Sequence, residues 1–107
     1  MAGGRAPLEM LLLATLRRQG VPLHGYALIE GLRAGSRGVF DYAEGTIYPA
    51  LHQMEREGLV RSGWDTSGPR RRRLYRLTAS GEAALAERAD AWSRYASAVS
   101  RVLQGAS

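Results

Sequence analysis

The hydrophobic positions in the first third of the chain repeat with the spacing of an amphipathic helix and predict two short helices. In the first, one helical face carries Leu8, Leu11, Leu12 and Leu16, and Gly20 occupies the position of a C-terminal cap. Residues 21–25 interrupt the pattern. The second helix begins near His24 and ends at the flexible segment Gly35–Gly38.

A third helix and two strands follow. The helix spans Gly45–Gly58, and the strands span Leu59–Asp65 and Arg70–Thr78 on either side of a turn at residues 66–69. Pro49 lies in the first turn of this helix or just beyond it, where a missing amide donor costs least. Before the helix, a short apolar segment either adds a minor strand or fills the core: Val39–Tyr42. The apolar residues of the helix repeat at i, i+4 and i+7: Ile47, Leu51 and Met54.

The last quarter of the chain predicts one long helix, from Ala79 to Gln104, with Thr78 as its N-cap. Its apolar residues repeat with spacings of 4, 3, 4, 3 and 4, which is a heptad pattern. A helix of about 39 Å, at ~1.5 Å per residue, carries more apolar surface than so small a body can cover, so we expect a homodimer. The residues assigned to the dimer surface are apolar positions of the first and last helices: Leu8, Leu12, Leu85, Ala89, Trp92, Ala96, Val99 and Leu103.

The predicted fold is mostly α with a small β-hairpin: a winged helix-turn-helix followed by a long C-terminal dimerisation helix. We expect residues 1–7 to form a flexible N-terminal arm, residues 8–78 the winged-helix DNA-binding domain, and residues 79–107 the dimerisation helix and tail. The longest apolar run, Met10–Ala14, is far too short to span a bilayer. We therefore expect a cytoplasmic protein that does not contact a membrane.

Basic charge is concentrated in the predicted hairpin. The net charge is +5 with 15 basic residues, all of them arginine, and four stand in a row at the hairpin tip: Arg70, Arg71, Arg72 and Arg73. A guanidinium group matches phosphates and guanine edges with paired N–H donors. Coding bias in a GC-rich genome also explains the absence of lysine, and a charge run alone often serves solubility. Next to a helix and a Gly-Pro turn, however, the run indicates contact with double-stranded DNA.

The sequence contains few of the residue patterns that form catalytic sites. Cysteine is absent, which excludes disulfides and thiol catalysis. The two histidines, His24 and His52, lie in segments that the fold already explains, and no cluster has metal-ligand spacing or the form of a phosphate-binding loop. We expect neither an enzyme nor a bound cofactor or metal.

Four segments resemble the PadR family of bacterial transcriptional regulators in order and spacing: Leu23–Ile29, Glu44–Leu51, Glu55–Val60 and Arg73–Gly81. The resemblance covers about residues 8–90 and is closest to the branch with a single C-terminal dimerisation helix. It implies a homodimer, usually a repressor, whose affinity for a pseudo-palindromic operator falls when an effector binds. It also implies DNA contacts from the second and third helices and from the wing at Ser67–Arg73. Those of the two helices are His24, Tyr26, Thr46, Tyr48, Pro49 and Gln53.

The segment Ala91–Arg94 resembles the corresponding helix of multidrug-responsive members, in which a tryptophan from each subunit stacks flat aromatic compounds. Carried over, this implies an effector site at Trp92, with Tyr95 and Ala96 shaping it; packing of Trp92 in a dimer core is the alternative. The chain departs from the family pattern at Ala43, where a capping serine is common, and Asp41 is the candidate to replace it. A winged helix that binds proteins instead of DNA remains the alternative function.

Overall fold

The computed structural model describes residues 5–105 and is mostly helical, with one small antiparallel sheet, which confirms the predicted fold class. The elements in chain order are α1 (Arg5–Gln19), β1 (Leu23–His24), α2 (Gly25–Gly35), α3 (Glu44–Arg56), β2 (Val60–Asp65), β3 (Arg72–Leu77) and α4 (Ala79–Gly105).

The first helix begins earlier than the sequence pattern indicates. Residues 5–7, expected to belong to a loose arm, form the start of α1, and the rest of the expected arm lies outside the described residues. Pro7 is compatible with this start because the amides of the first helical turn have no partner within the helix.

The sheet has three strands in the order β1-β3-β2, one more than the hairpin predicted from the sequence. The third strand comes from the segment expected to be a break: Leu23 pairs with Tyr75, and His24 with Leu74. Val39–Tyr42 forms no strand; Phe40 and Tyr42 stack on each other with ring centroids 6.3 Å apart and pack against the core. The strand expected from Arg70 begins at Arg72, so Arg70 and Arg71 belong to the hairpin loop.

The hydrophobic core lies between α1, α2, α3 and the sheet. Its largest fully buried side chains are Tyr75, Leu12, Leu13, Leu28, Ile47, Leu51, Met54 and Val60. The assignment of Leu8 and Leu12 to the dimer surface is therefore corrected: Leu8 is 6% exposed and Leu12 0% in the single chain. Their apolar face is used within the chain and leaves almost no surface for a second subunit.

Helix α3 begins without a side-chain cap. Ala43 is its N-cap residue, and the Ala43 carbonyl accepts the amides of Thr46 and Ile47; Asp41 does not supply the cap considered from the sequence. Pro49 is the sixth residue of α3, further into the helix than expected. Its missing amide leaves the carbonyl four residues back, at Gly45, without the usual helical donor.

Helix α4 is joined to the sheet by one residue. The Thr78 hydroxyl accepts the amide of Gly81 at 3.0 Å, as expected of an N-cap, and lies 2.7 Å from the carbonyl oxygen of Gly58, to which it donates. The start of α4 packs on α1, where Arg88 bonds the buried carboxylate of Glu9 at 3.0 Å. Beyond this pair α4 is mostly exposed, and the molecule extends 60 Å along its long axis. Among residues 5–105, no helix is long and apolar enough to cross a membrane.

Candidate nucleic-acid interface

His24 connects helix α2 to the wing. Because β1 pairs with β3, His24 lies beside the wing strand while also serving as the N-cap of α2. Its Nδ1 accepts the amide of Ala27 at 3.3 Å, and its Nε2 is 2.8 Å from the Arg72 guanidinium. Arginine can only donate, and a neutral imidazole has one acceptor nitrogen, so the tautomer of His24 decides which of these two contacts is a hydrogen bond.

Tyr48 joins helix α3 to the start of α2. The two helices approach so closely that a Cβ at Gly25 would lie 2.5 Å from the Tyr48 ring. Glycine at this position therefore lets Tyr48 lie across the first turn of α2. Tyr26, the next residue, is 56% exposed, so its ring is available to a partner.

An open cavity of about 450 Å³ separates α2 and α3 from the wing. It is lined by His24, Tyr26, Tyr48 and the four arginines Arg70–Arg73. The structure thus brings together seven of the ten residues predicted to bind DNA. Thr46 and Pro49 are exposed on α3 but do not line the cavity. Gln53 is half-buried and bonds its neighbours Arg56 and Glu57 at 2.6 and 2.9 Å.

The wing arginines have different partners. Arg72 approaches His24, whereas Arg73 donates from Nε to the Ser62 hydroxyl at 2.9 Å. The guanidinium carbons of Arg71 and Arg73 lie 4.6 and 4.9 Å from the centroid of the Trp64 ring. Sequence reasoning did not assign Trp64 to the site, because its contact with the arginines depends on the strand register that pairs Trp64 with Arg73.

The base of the hairpin loop is ordered by Asp65. Its Oδ1 accepts hydrogen bonds from the Ser67 hydroxyl at 2.7 Å and from the Ser67 amide at 3.0 Å. These bonds, from the hydroxyl first and then the amide, lower the pKa of Asp65 below its usual 3.8, and the positive charge of Arg72 lowers it further. The carboxylate therefore fixes the chain direction at the point where the arginine run begins.

The distal half of α4 carries a second exposed surface. Trp92 is 45% exposed and Tyr95 49%, and their rings contact each other with centroids 5.6 Å apart. Towards the C-terminus a shallow apolar groove of about 250 Å³ continues this surface; it is lined by Tyr95, Ala98, Val99, Val102 and Leu103. Among the other predicted dimer residues, Leu85 packs against the core, Ala89 is exposed and Ala96 is half-buried.

This geometry, a helical body with a basic β-hairpin wing and a projecting helix, defines a winged-helix protein. A solved structure of a transcriptional regulator from Clostridium thermocellum has the same fold, with a TM-score of 0.82 over 91% of this chain and 93% of that chain, at 21% identity. A PadR family transcriptional regulator from Eggerthella lenta matches with a TM-score of 0.80 at 33% identity, over 92% of this chain and 83% of that one.

Sequence comparison identifies the family. The model of the transcriptional regulator PadR-like family matches residues 12–87, and the chain belongs to this family, as its motifs indicate. The chain is 42% identical over 65 residues to transcriptional regulator Rv3488 of Mycobacterium tuberculosis, a match that covers 61% of this chain. It spans 58% of the length of that relative. Family and relative are transcriptional regulators, not enzymes.

Proposed function

We propose that this chain is a homodimeric DNA-binding repressor that a small aromatic effector releases from its operator. The observation that carries DNA binding is the basic cavity, where four consecutive wing arginines face His24, Tyr26 and Tyr48. Duplex DNA presents a continuous line of phosphates beside the major groove, so a recognition helix and a basic wing can be occupied together. The cavity is open to solvent along this edge, as such a ligand requires.

The proposed DNA contacts divide between backbone and bases. Arg72 lines the cavity beside His24, and its guanidinium has more N–H donors than this one contact uses, so it can also donate to a phosphate oxygen. Thr46 and Pro49 lie exposed near the N-terminal end of α3, where small side chains allow close approach to base edges. Gln53, held by Arg56 and Glu57, would have to exchange these bonds to read a base.

The proposed dimer uses the exposed distal face of α4. Val102 and Leu103 are 76% and 77% exposed, and burial of such apolar surface against a second copy is favourable. A two-fold pair of α4 helices would present two α3 helices to the halves of a pseudo-palindromic operator. The domain limits that follow are a winged helix over residues 8–78 and a dimerisation segment over residues 79–107.

The proposed effector site lies on the same face. Trp92 and Tyr95 form a tilted aromatic pair that is half exposed in the single chain, and Ala96, one turn after Trp92, leaves room beside it. Two such pairs facing across a dimer axis would form an aromatic slot for a flat molecule. An effector bound in this slot stabilises one spacing of the α4 helices and thereby alters the distance between the two DNA-contacting surfaces.

The DNA-binding proposal is tested by gel-shift titration against the DNA upstream of the gene, with competitor DNA and at several salt concentrations. We expect the wild-type protein to give a discrete, competitor-resistant complex. Replacing Arg70 and Arg71 together with alanine should weaken it and reduce the slope of log affinity against log salt by about 2 per subunit, since each lost phosphate contact removes about 1.

The matched control replaces Arg17 and Arg18, two exposed arginines at the end of α1 that do not line the cavity. The control also removes two positive charges, but at positions outside the wing. A general effect of net charge would therefore weaken DNA binding equally in both variants. Equal loss would contradict the wing assignment. If the wild-type protein forms no complex even at low salt, the result favours the alternative function, a protein-interaction module in which the arginines only solvate the wing.

A further inference from the structure

We propose that Trp64 is a positioning residue of the wing: it stacks Arg71 beside the anchored Arg73 and so orders Arg71 for contact with a DNA phosphate, while leaving the charge and the N–H donors of Arg71 free. This proposal rests on the proposed DNA-binding function and adds to it a residue that touches the arginines and not the DNA. Trp64 lies on β2 and is 54% exposed, which is unusual for so large an apolar side chain. Its contacts explain the exposure.

The ring of Trp64 faces two arginines of the neighbouring strand and loop. Arg73 is its cross-strand partner, and Arg71, two residues earlier, extends over the same ring. The distances from the guanidinium carbons to the ring centroid are 4.6 Å for Arg71 and 4.9 Å for Arg73. Both lie within the range of about 6 Å in which a cation is attracted to an aromatic face. One ring therefore holds half of the arginine run.

Arg73 connects this stack to helix α3. Its Nε donates to the Ser62 hydroxyl at 2.9 Å, and that hydroxyl donates to the Glu55 carboxylate at 2.6 Å. Arg73 is half-buried, whereas Arg71 is exposed in the hairpin loop. Arg73 thus acts as the anchor and Arg71 as the residue presented to DNA. The orientation of Trp64 is thereby fixed relative to the helix that enters the groove.

An aromatic face suits this task better than a carboxylate. A carboxylate that bonded Arg71 would neutralise its charge and occupy the donors that a phosphate needs. A stacked guanidinium keeps its N–H groups, which lie in the guanidinium plane, and its full charge. It nevertheless loses side-chain rotamers before DNA arrives, so less conformational entropy is lost on binding. The two nearby carboxylates, Asp65 and Glu55, already accept hydrogen bonds from Ser67 and Ser62.

The test compares two substitutions at one position, Trp64→Leu and Trp64→Phe. Both leave the buried core intact because Trp64 is more than half exposed, but only phenylalanine keeps an aromatic face. We expect Trp64→Leu to weaken operator binding by about tenfold, which is the loss of affinity expected when one or two long side chains are no longer ordered before binding. Trp64→Phe should keep most of the wild-type affinity. The salt slope should stay that of wild type, because every phosphate contact remains; Arg71→Ala should lower it by about 1.

A second readout does not need DNA. The guanidinium groups of Arg71 and Arg73 lie over an indole ring, so we expect its ring current to displace the NMR signals of the neighbouring δ-carbon protons and expect these signals to return to ordinary positions in Trp64→Leu. Wild-type affinity in Trp64→Leu, equal losses in the leucine and phenylalanine variants, or undisplaced arginine signals in wild type would each overturn the proposal. Failure of the wild-type protein to bind DNA would instead refute the proposed function, and the displaced signals would then show the stack alone.

Discussion

Contacts of single residues at the base of the hairpin loop fix the direction of the loop relative to the sheet. Asp65 is the clearest case, because one carboxylate oxygen accepts both the hydroxyl and the amide of Ser67. Next to it, His24, the N-cap residue of α2, contacts Arg72 of the wing. These short contacts set the direction of a charged loop that has few apolar residues of its own.

The Asp65 contact makes the order of the loop depend on pH. Its pKa is lowered in the folded chain, so the ionised form stabilises the turn at every pH above the usual value of 3.8. This contribution is lost as the pH falls through the lowered value, where the carboxylate takes up a proton. We expect the Ser67 amide signal to be constant from about pH 7 to 5 and to shift below about pH 4.

The measurement is an NMR titration of the Ser67 amide, with Asp65→Asn as the control. The asparagine oxygen can still accept a hydrogen bond but does not ionise, so the shift should disappear in this variant. A Ser67 amide signal that shifts in the same way in wild type and in Asp65→Asn as the pH falls would contradict the assignment.

Elements differ in how much of their structure the sequence reveals. The bounds of α3 were predicted to within about two residues because Ile47, Leu51 and Met54 mark its buried face over about two turns. β1 was missed, since a two-residue strand carries no alternation and exists only through its pairing with β3. Most of the proposed DNA site could be predicted from charge and family motifs, whereas Trp64 could not, because its role depends on cross-strand register.

The junction of β3 and α4 depends on close backbone packing. Gly81, in the first turn of α4, is buried, and a Cβ there would collide with the Leu59 carbonyl and approach the Leu77 side chain. We expect Gly81→Ala to lower the free energy of unfolding by about 1–3 kcal/mol, the usual cost of overpacking. Denaturant unfolding at fixed protein concentration measures it.

Gly35→Ala is the matched control for Gly81→Ala. Gly35 also lies in a helix, but open space surrounds the position where its Cβ would be. Alanine there should be neutral or should stabilise by up to about 1 kcal/mol through the unfolded chain. If both variants were equally stable, the contact between Gly81 and Leu59 would not constrain the junction.

The whole molecule has one end built around a core and one end that is almost entirely exposed. An apolar stripe in a sequence does not say which partner covers it: Leu8 and Leu12 are covered within the chain, whereas Val99 and Leu103 are exposed on α4. The proposed dimer accounts for the exposed apolar residues at this end, because a second copy would cover them. The molecule is 60 Å long, so the distal part of α4 is long enough for the same helix of a second copy to pack along it.

We expect Leu103→Glu to dissociate the dimer at micromolar concentration, because it places a charge in an apolar interface. Ser97→Glu adds the same charge on the opposite face of α4 and should leave the dimer intact. Sedimentation measures the oligomeric state, and a dimeric Leu103→Glu would exclude this interface.

The effector site is tested with Trp92→Ala. This variant should remain dimeric but bind planar cationic dyes more weakly than wild type. Calorimetry measures the dye affinity, and equal dye affinities in wild type and Trp92→Ala would dismiss the stacking role.

Thr78 has a mechanical consequence. It ends the wing strand, caps α4 and bonds the carbonyl of Gly58 just after α3, so no flexible linker separates the long helix from the DNA-contacting elements. The 27 residues of α4 form a rigid lever of about 40 Å at ~1.5 Å per residue, and a tilt of ~5° at Thr78 moves its far end by roughly 3.5 Å. If the distal end of α4 moves by that distance, the entire winged helix would therefore have to rotate together with α4.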